Sequence, residues 1–411
     1  MRFKKIIIVN ILIVLVTLTS CVRSRDIEEL GIVMTTGIDM EGEKVLLTHE
    51  VVVPKSNISN RSEDKGNVQY VQSRGDTIID ALRNATLVFD RKLFLAHSRV
   101  LILGEEFAKR GVGDLMNFYV SDNEPRESTI LVVAKDSKAY ELMGISGGLS
   151  DTPGSYLFDL LDNYSVNLKT RKFTLTEYMR YFLQGENPVS PIVELIQELE
   201  IDKGKEEATK YALNVSGGAV FRKDKLLGYY NGDEMKGFNF IVDEFENGLI
   251  VFETPDELVK NNKFIATSGK YTVVEVKNSS TKNRIEIIDD KLHLTIDVKV
   301  DGTLIEDTKG LNISDKNILE AVNATCSNKV KDYITMTMDK AQKEFRLDTF
   351  SIGNLVHIKY PHLWREISDE WEGMFPDLEY EVNVETDLIR SGLINTPINI
   401  KIEENRLKEN K

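Results

Sequence analysis

The apolar residues of this chain recur with two periods, one typical of strands and one typical of helices. Between residues 26 and 143, short β-rich runs alternate with stretches of helical spacing. The stretch Thr77 to Phe89 predicts a helix with Asp76 as its N-cap, and the run Leu93 to Leu103 predicts one buried strand around His97. The other predicted strands are Asp26 to Asp39, Lys44 to Val53, Val68 to Ser73 and Ser128 to Ala134, and the other helices are Glu105 to Lys109, Asp114 to Val120 and Ser137 to Met143. This alternation indicates an α/β layer.

The middle of the chain gives weaker signals. Thr174 and Glu177 form a capping box for a predicted helix, Leu175 to Gln184. The run Ile192 to Glu200 fits either a helix or a strand, and the prolines beside it favour a strand. Two polar segments predict a loop and a linker, Lys55 to Asn67 and Asp202 to Lys210. The elements predicted after the linker are strand Tyr211 to Phe221, strand Lys225 to Tyr230, a helix from Asp233 to about Val242, and strand Gly248 to Glu253.

From about Lys270 the pattern becomes cleaner. Three alternating runs, Tyr271 to Val276, Arg284 to Ile288 and Leu292 to Val300, predict half-buried antiparallel strands in a meander. Ser314 is the predicted N-cap of a helix of about thirty residues that ends at Phe345 and is roughly 45 Å long. One apolar stripe along this helix predicts that it lies across a sheet. A further helix, Trp364 to Phe375, and a regularly alternating strand, Tyr380 to Leu388, complete the pattern.

The first twenty-one residues predict export and attachment to a membrane. Arg2, Lys4 and Lys5 precede the aliphatic run Ile6 to Val16, and two small residues then lead to Cys21. Leu18-Thr19-Ser20-Cys21 resembles the bacterial lipoprotein box (lipobox), in which the cysteine thiol is alkylated with diacylglycerol. Two or more acyl chains anchor a protein stably. The alternatives are plain secretion and a membrane-spanning helix, but a span takes roughly 20 apolar residues and this run is shorter.

Composition describes the exported body. The chain has 411 residues, 41% hydrophobic and 29% charged, which is enough for two or three folded domains. Its net charge is −14, and loss of the three cations of the signal would lower it to −17. So acidic a body argues against binding nucleic acid and against lying flat on anionic lipid. After Cys21 only Cys326 remains, so the mature chain forms no internal disulfide, and Cys326 is expected to be a small core residue.

Signals of catalysis are poor. Gly144-Ile145-Ser146-Gly147-Gly148 matches G-x-S-x-G, but a predicted helix precedes it where a nucleophile elbow needs a strand. His357 and His362 share no helical face, so they do not predict a metal pair, and His97 is expected to be a hydrogen-bonded structural residue. The pairs Asp289-Asp290 and Asp301-Gly302 predict hairpin turns, and His49 and His293 lie in strands with no triad partner nearby. We therefore expect no enzyme activity and no cofactor.

Several stretches of the mature chain together resemble the spore germination receptor C subunits, the Ger(x)C lipoproteins. Near the start they are residues 26–33, 37–39, 91–94 and 96–106, and further on residues 217–221 and 224–228. At the end they are residues 348–353, 361–364, Trp371 and 389–394. Each stretch is weak alone, but their order and spacing are specific. One departure is Val22, where many relatives carry Trp.

The resemblance implies an α+β fold of three mixed α/β domains with antiparallel or mixed sheets and a long helix packed on the C-terminal sheet. The expected division is a lipoprotein signal peptide at 1–20, domains at 21–205, 206–269 and 270–396, and a charged tail at 397–411. It further implies a lipid on Cys21, a place on the outer face of the inner spore membrane, and no enzymatic activity. Two polytopic subunits, A and B, are the implied partners in a receptor that responds to nutrients.

Two other classes of function stay open from the residues alone. A lipid-anchored solute-binding protein would show two similar lobes with a ligand cleft between them. An anchored hydrolase would depend on Ser146.

Overall fold

The structure, a computed structural model, describes residues 30–52, 68–121, 126, 128–147, 149–197, 211–245, 247–258, 270–307, 311 and 315–390. The predicted loop at 55–67, the linker at 202–210, the tail at 397–411 and Cys21 lie outside these residues. Within the described part, no helix is both long enough and apolar enough to cross a membrane.

Within the described residues, ten strands form one large mixed sheet. They are β1 Leu30–Glu41, β2 Lys44–Val52, β3 Val68–Gly75, β4 Lys92–Phe94, β5 Val100–Leu103, β6 Ile130–Ala134, β7 Val189–Gln197, β8 Tyr211–Asn214, β9 Gly218–Arg222 and β10 Lys225–Tyr230. Their order is β10-β9-β7-β6-β5-β1-β2-β3, with β4 beside β1 and β8 beside β7. Strands β1, β5, β6 and β7 pair in parallel, and antiparallel pairs extend the sheet on both sides.

Helices cover both faces of the large sheet. They are α1 Ile78–Asn84, α2 Glu105–Arg110, α3 Gly113–Ser121, α4 Ala139–Leu142, α5 Pro153–Asp162 and α6 Leu175–Gln184. Leu131 and Val133 of β6 pack in the same core as residues of α1, α2, α3 and α6, whereas Ile130 and Val132 pack with residues of α4 and α5. Because successive side chains of a strand point to opposite faces, all five residues of β6 are buried.

Four strands form a smaller sheet in the order β11-β12-β13-β14. They are β11 Gly248–Glu253, β12 Tyr271–Ile288, β13 Lys291–Asp307 and β14 Glu379–Arg390, and β14 runs parallel to β13. The helices of this part are α7 Gly232–Ile241, α8 Lys316–Asp339, α9 Ile352–Lys359, α10 Pro361–Ile367 and α11 Trp371–Met374. Helix α8 continues as a π-helical turn, Lys340–Phe345. The predicted stripe is confirmed, because Val322, Cys326, Val330, Ile334 and Met338 are fully buried against the sheet.

The predicted α+β class, with mixed sheets and a long helix on the C-terminal sheet, is thus confirmed. The predicted domain limits stay a prediction. Strands on both sides of residues 205 and 206 join the large sheet, while β11 joins the small one.

Some predicted strands differ from the structure. The run Leu93 to Leu103 is two strands, because a 3-10 turn at Leu95–His97 separates β4 from β5 where β1 is irregular between Val33 and Thr35. The strand Tyr211 to Phe221 is interrupted before Gly218, since Gly217 has φ +112 and its N–H donates to Lys169 O.

The predicted meander has two strands rather than three. Residues 277–283 lack an apolar period, yet residues 278–283 pair with β13, after an irregularity at Lys277. Their polar groups bind the end of α7 and the turn after it: Asn283 Nδ2 donates to Ile241 O, and Ser279 Oγ donates to Phe245 O. The Asp289-Asp290 turn is confirmed by positive φ angles of 48° and 62°. The Asp301-Gly302 turn is wrong, because Gly302 lies inside β13 where neighbouring side chains leave no room for a Cβ.

Two N-caps and one helix also differ. Thr77, not Asp76, caps α1 by accepting from Asp80 N, and Asp80 accepts from Asp76 N in return. Asp315 caps α8, and the predicted cap Ser314 lies outside the described residues. The helix Trp364 to Phe375 is replaced by α10 and α11, which are separated by a turn.

Candidate functional site

The predicted site residue, Cys21, lies outside the described residues, so the lipid anchor stays a prediction. The other cysteine, Cys326, is fully buried in α8, as expected for a core residue. Burial raises the pKa of its thiol to about 12, so it is unreactive at neutral pH.

The residues weighed as catalytic or metal-binding candidates are scattered. Ser146 is exposed after the end of α4, with no strand leading into it, so the turn is not a nucleophile elbow. His357 stacks on Trp364 at a centroid distance of 5.9 Å, while His362 contacts Arg365. Among the described residues no group of His, Cys, Asp and Glu side chains could hold a metal ion.

The strand histidines have different environments. His49 is buried in β2, where its Nδ1 lies 3.1 Å from Thr36 Oγ1, and burial lowers its pKa to about 4. His97 is exposed on the 3-10 turn, so the prediction that it is a structural residue in an apolar strand is wrong. The ring of His293 contacts Glu379 O on the neighbouring strand β14 at 3.3 Å.

A buried polar arrangement surrounds Asp348, which lies between α8 and α9. Its Oδ1 accepts from Phe350 N at 3.0 Å and Ile352 N at 3.1 Å. Its Oδ2 accepts from Gly353 N at 2.7 Å and from the indole Nε1 of Trp371 at 3.0 Å. Four donors therefore share the two oxygens of one buried carboxylate. We call this arrangement the Asp348 knot.

Local backbone geometry brings the hydrogen-bond donors to the Asp348 carboxylate. Ser351 has a left-handed conformation, φ +60, which turns the chain so that the following N–H groups point back to the carboxylate. Gly353 is required here, because a Cβ at this position would lie 2.8 Å from both Trp364 and Trp371. The side chain of Asp348 is desolvated, which raises its pKa, and the four hydrogen bonds act in the opposite direction.

The knot also connects the two sheets: its residues bond to Glu186 and Asn187, which lie just before strand β7 of the large sheet. Asn187 Nδ2 donates to Asp348 O at 3.0 Å, and its Oδ1 accepts from Lys223 N at 3.1 Å. Ser351 Oγ donates to Glu186 Oε2 at 2.9 Å. Residues 165 positions apart are held together in this way.

A cleft of about 650 Å³ opens beside the knot. Trp364, Trp371 and His357 supply aromatic surface, and Glu186, Asp369 and Glu372 supply carboxylates. Because every oxygen of the Asp348 carboxylate already accepts two hydrogen bonds, this group is suited to holding the fold rather than to exchanging a proton with a substrate.

Sequence reasoning did not single out the knot as a site. An Asp and a Trp that lie 23 residues apart give no motif that predicts their contact. The only signal was the resemblance, since residues 348–353, 361–364 and Trp371 were among the stretches that carried it. The structure brings these three stretches together.

Comparison with protein families finds two consecutive matches. Residues 23–195 match the family model described as spore germination protein N-terminal domain. Residues 216–392 match the model described as spore germination B3/GerAC like, C-terminal.

Curated relatives and a solved structure match nearly the whole chain. Spore germination protein KC of Bacillus subtilis is 23% identical over 411 residues, covering 96% of this chain and 98% of the relative. Spore germination protein B3 of the same organism is 25% identical over 386 residues, covering 92% and 96%. The crystal structure of the GerBC protein matches with a TM-score of 0.54 and 20% identity, over 89% of this chain and 100% of that chain. This structural likeness shows a shared fold.

Proposed function

Since this chain belongs to the Ger(x)C family of spore germination receptor subunits, we propose that it is the lipid-anchored, non-catalytic subunit of a nutrient germinant receptor. In this proposal it acts with A-type and B-type integral membrane subunits on the outer face of the inner spore membrane. The observation that carries the proposal is the pair of consecutive family matches, which together run from residue 23 to residue 392.

The lipid anchor is proposed from the residues that precede the matched region. The lipobox ends at Cys21, two residues before the first family match begins. A diacylglyceryl group on Cys21 would keep the body beside partners fixed in the same membrane. Confinement to a thin layer raises the effective concentration, so even weak contacts between subunits would be occupied.

A role without catalysis is supported by how the polar groups of the described residues are used. The buried carboxylate of the Asp348 knot accepts four hydrogen bonds, all from the protein itself. Ser146 lacks the strand and helix that an elbow requires. Neither feature suits the anchored hydrolase considered above.

The solute-binding alternative receives no support from the described architecture. Such proteins would present two similar lobes, whereas here one sheet has ten strands and the other has four. The two sheets also differ in strand direction and in how many faces helices cover.

The experiment that tests the proposal replaces Cys21 by Ala in the full chain expressed in a sporulating bacterium. The variant is expected to fold, to lose the lipid mass on the mature N-terminus, to leave the membrane fraction and to weaken the germination response. Cys326→Ala is the matched control, because it removes the other thiol and should leave the lipid in place. An unmodified Cys21 in the natural chain, or full membrane retention of Cys21→Ala, would refute the anchor.

A further inference from the structure

The loop between α1 and β4 exposes two adjacent apolar side chains. Leu87 is 80% exposed and Val88 is 68% exposed, although the next residue, Phe89, is buried. Phe89 packs directly on β1, since a Cβ on Gly31 would lie 2.6 Å from its ring. The loop is therefore fixed at its base by a core residue, while its tip presents apolar surface to the outside.

This loop lies at the end of the large sheet where the chain arrives from its N-terminus. Strand β4 pairs in parallel with the first residues of β1, with Leu30 opposite Lys92 and Ile32 opposite Phe94. The chain between Cys21 and Leu30 comprises nine residue steps, which span at most about 32 Å even when fully extended. A lipid on Cys21 would thus keep this end of the sheet within about 32 Å of the membrane surface.

Segment 83–92, which contains the loop, carries a net positive charge within a chain that is acidic as a whole. Arg83, Arg91 and Lys92 flank Leu87 and Val88, with Asp90 as the one carboxylate among them, in a chain whose net charge is −14. Anionic headgroups attract such basic segments when they lie within a Debye length of the surface. The acidic remainder of the body would be repelled from the same surface.

We propose that Leu87 and Val88 insert into the lipid surface beside the anchored Cys21, with Arg83, Arg91 and Lys92 at the headgroups. This inference rests on the proposed function, because it takes Cys21 as the anchor. It fixes an orientation: β1 points away from the membrane, and its far end, the turn that contains Glu43, lies roughly 36 Å from Leu30.

The test places an environment-sensitive fluorophore on a single new thiol in the full lipidated chain. Val88→Cys puts the label on the loop, and Glu43→Cys is the matched control, since the Glu43 side chain is 95% exposed at the other end of β1. Cys326 is buried and does not compete for the label. The labelled chains are bound to phosphatidylglycerol-containing vesicles with or without brominated acyl chains.

We expect brominated lipid to quench the label at position 88 at least threefold and to leave the label at position 43 unchanged. Leu87→Asp in the Val88→Cys background should reduce the quenching at position 88 by at least half, which excludes insertion driven by the fluorophore alone. Circular dichroism confirms that each variant is folded.

The two failures are distinguishable. If the chain floats with the vesicles but the label at position 88 is not quenched, the anchor stands and the inference is overturned; a protein partner would then be the occupant of this surface. If the chain does not float at all, the proposed anchor is wrong, and the inference falls with it.

Discussion

The two sheets of this protein solve the burial of polar groups in different ways. In the large sheet helices cover both faces, so strands β5 and β6 consist of buried apolar residues only. In the small sheet one face packs on helices, and β14 alternates buried Val382 and Leu388 with exposed Glu381, Asn383 and Asp387. Charged side chains on the exposed face of a small-sheet strand contact water, whereas the inner strands of the large sheet have no exposed face.

Where the large sheet does bury a charge, the start of a helix accommodates it. Asp39 of β1 accepts from Ala139 N and Tyr140 N of α4 at 2.7 and 3.1 Å. Glu50 of β2 accepts from Gly154 N of α5 at 3.0 Å. Desolvation raises the pKa of both carboxyls. Free N–H groups at a helix start are natural partners for a carboxylate, so the helices that cover the sheet also satisfy its buried acids.

The largest expected effect comes from comparing the same kind of substitution, valine to aspartate, in the two sheets. Val132→Asp places a carboxylate with no partner at a fully buried position of β6, which should cost about 5 kcal/mol of unfolding free energy and prevent stable folding. Val384→Asp at a half-buried position of β14 should cost only about 2 kcal/mol, because the carboxylate can reach water.

Urea unfolding followed by circular dichroism measures both values. Glu381→Asp, which keeps a carboxylate on the exposed face of the same strand, is the control and should stay within about 0.5 kcal/mol of the unmodified protein. Equal losses for Val132→Asp and Val384→Asp would contradict the difference between a doubly covered and a singly covered sheet.

A second prediction concerns the junction between the two regions. Asp348→Ala leaves three backbone N–H groups and the Trp371 indole without their acceptor, and we expect a loss of about 4 kcal/mol. Asp369→Ala removes an exposed carboxylate from the rim of the same cleft and should be neutral. Thermal unfolding monitored by tryptophan fluorescence is suited to this test, because Trp371 is part of the knot. A neutral Asp348→Ala would show that water replaces the carboxylate.

The third prediction uses pH to sharpen the contrast, since His49 is a buried base of the large sheet. Its folded-state pKa of about 4 lies below the ordinary value of 6.5, so the unfolded chain takes up a proton first as the pH falls. The stability that neutral His49 supports is complete above pH 6.5 and is lost between pH 6.5 and 4, by about 3 kcal/mol. The raised pKa values of Asp39 and Glu50 act in the opposite sense, since protonation stabilises their folded forms as the pH falls.

The measurement is therefore a difference between variants. His49→Asn should remove about 3 kcal/mol of acid sensitivity between pH 7 and pH 4 relative to the unmodified protein. The same acid slope in His49→Asn as in the unmodified protein would show that other groups govern this pH range.

Elements with a strong local signal were predicted well. The capping box of α6 is confirmed by mutual bonds, with Thr174 Oγ1 accepting from Glu177 N and Glu177 accepting from Thr174 N. The choice of a strand for the ambiguous run Ile192 to Glu200 is confirmed by β7 as far as Gln197, and the rest of the run lies outside the described residues. The turn at Asp289-Asp290 is confirmed by its backbone angles. In each case the deciding residues lie within a few positions of one another.

Elements whose partners are remote in the sequence were predicted poorly. The polar pattern of residues 277–283 predicts a gap between strands, whereas in the structure contacts with strand β13 and helix α7 keep these residues within β12. The candidate site shows the same limit more strongly. Asn187 and Asp348 are ordinary residues in the sequence and become a contact only through folding.

The sequence by itself determined the family of this protein, its α+β class, its long amphipathic helix and the expectation of an anchored, acidic body, because composition and short-range periodicity are written along the chain. Only the tertiary structure decided that β14 lies parallel beside β13, that four donors converge on Asp348, and that Leu87 and Val88 lie at the end of the large sheet where β1 begins. Such arrangements depend on which segments, distant in the sequence, pack together and exclude water, and local sequence patterns do not specify that packing.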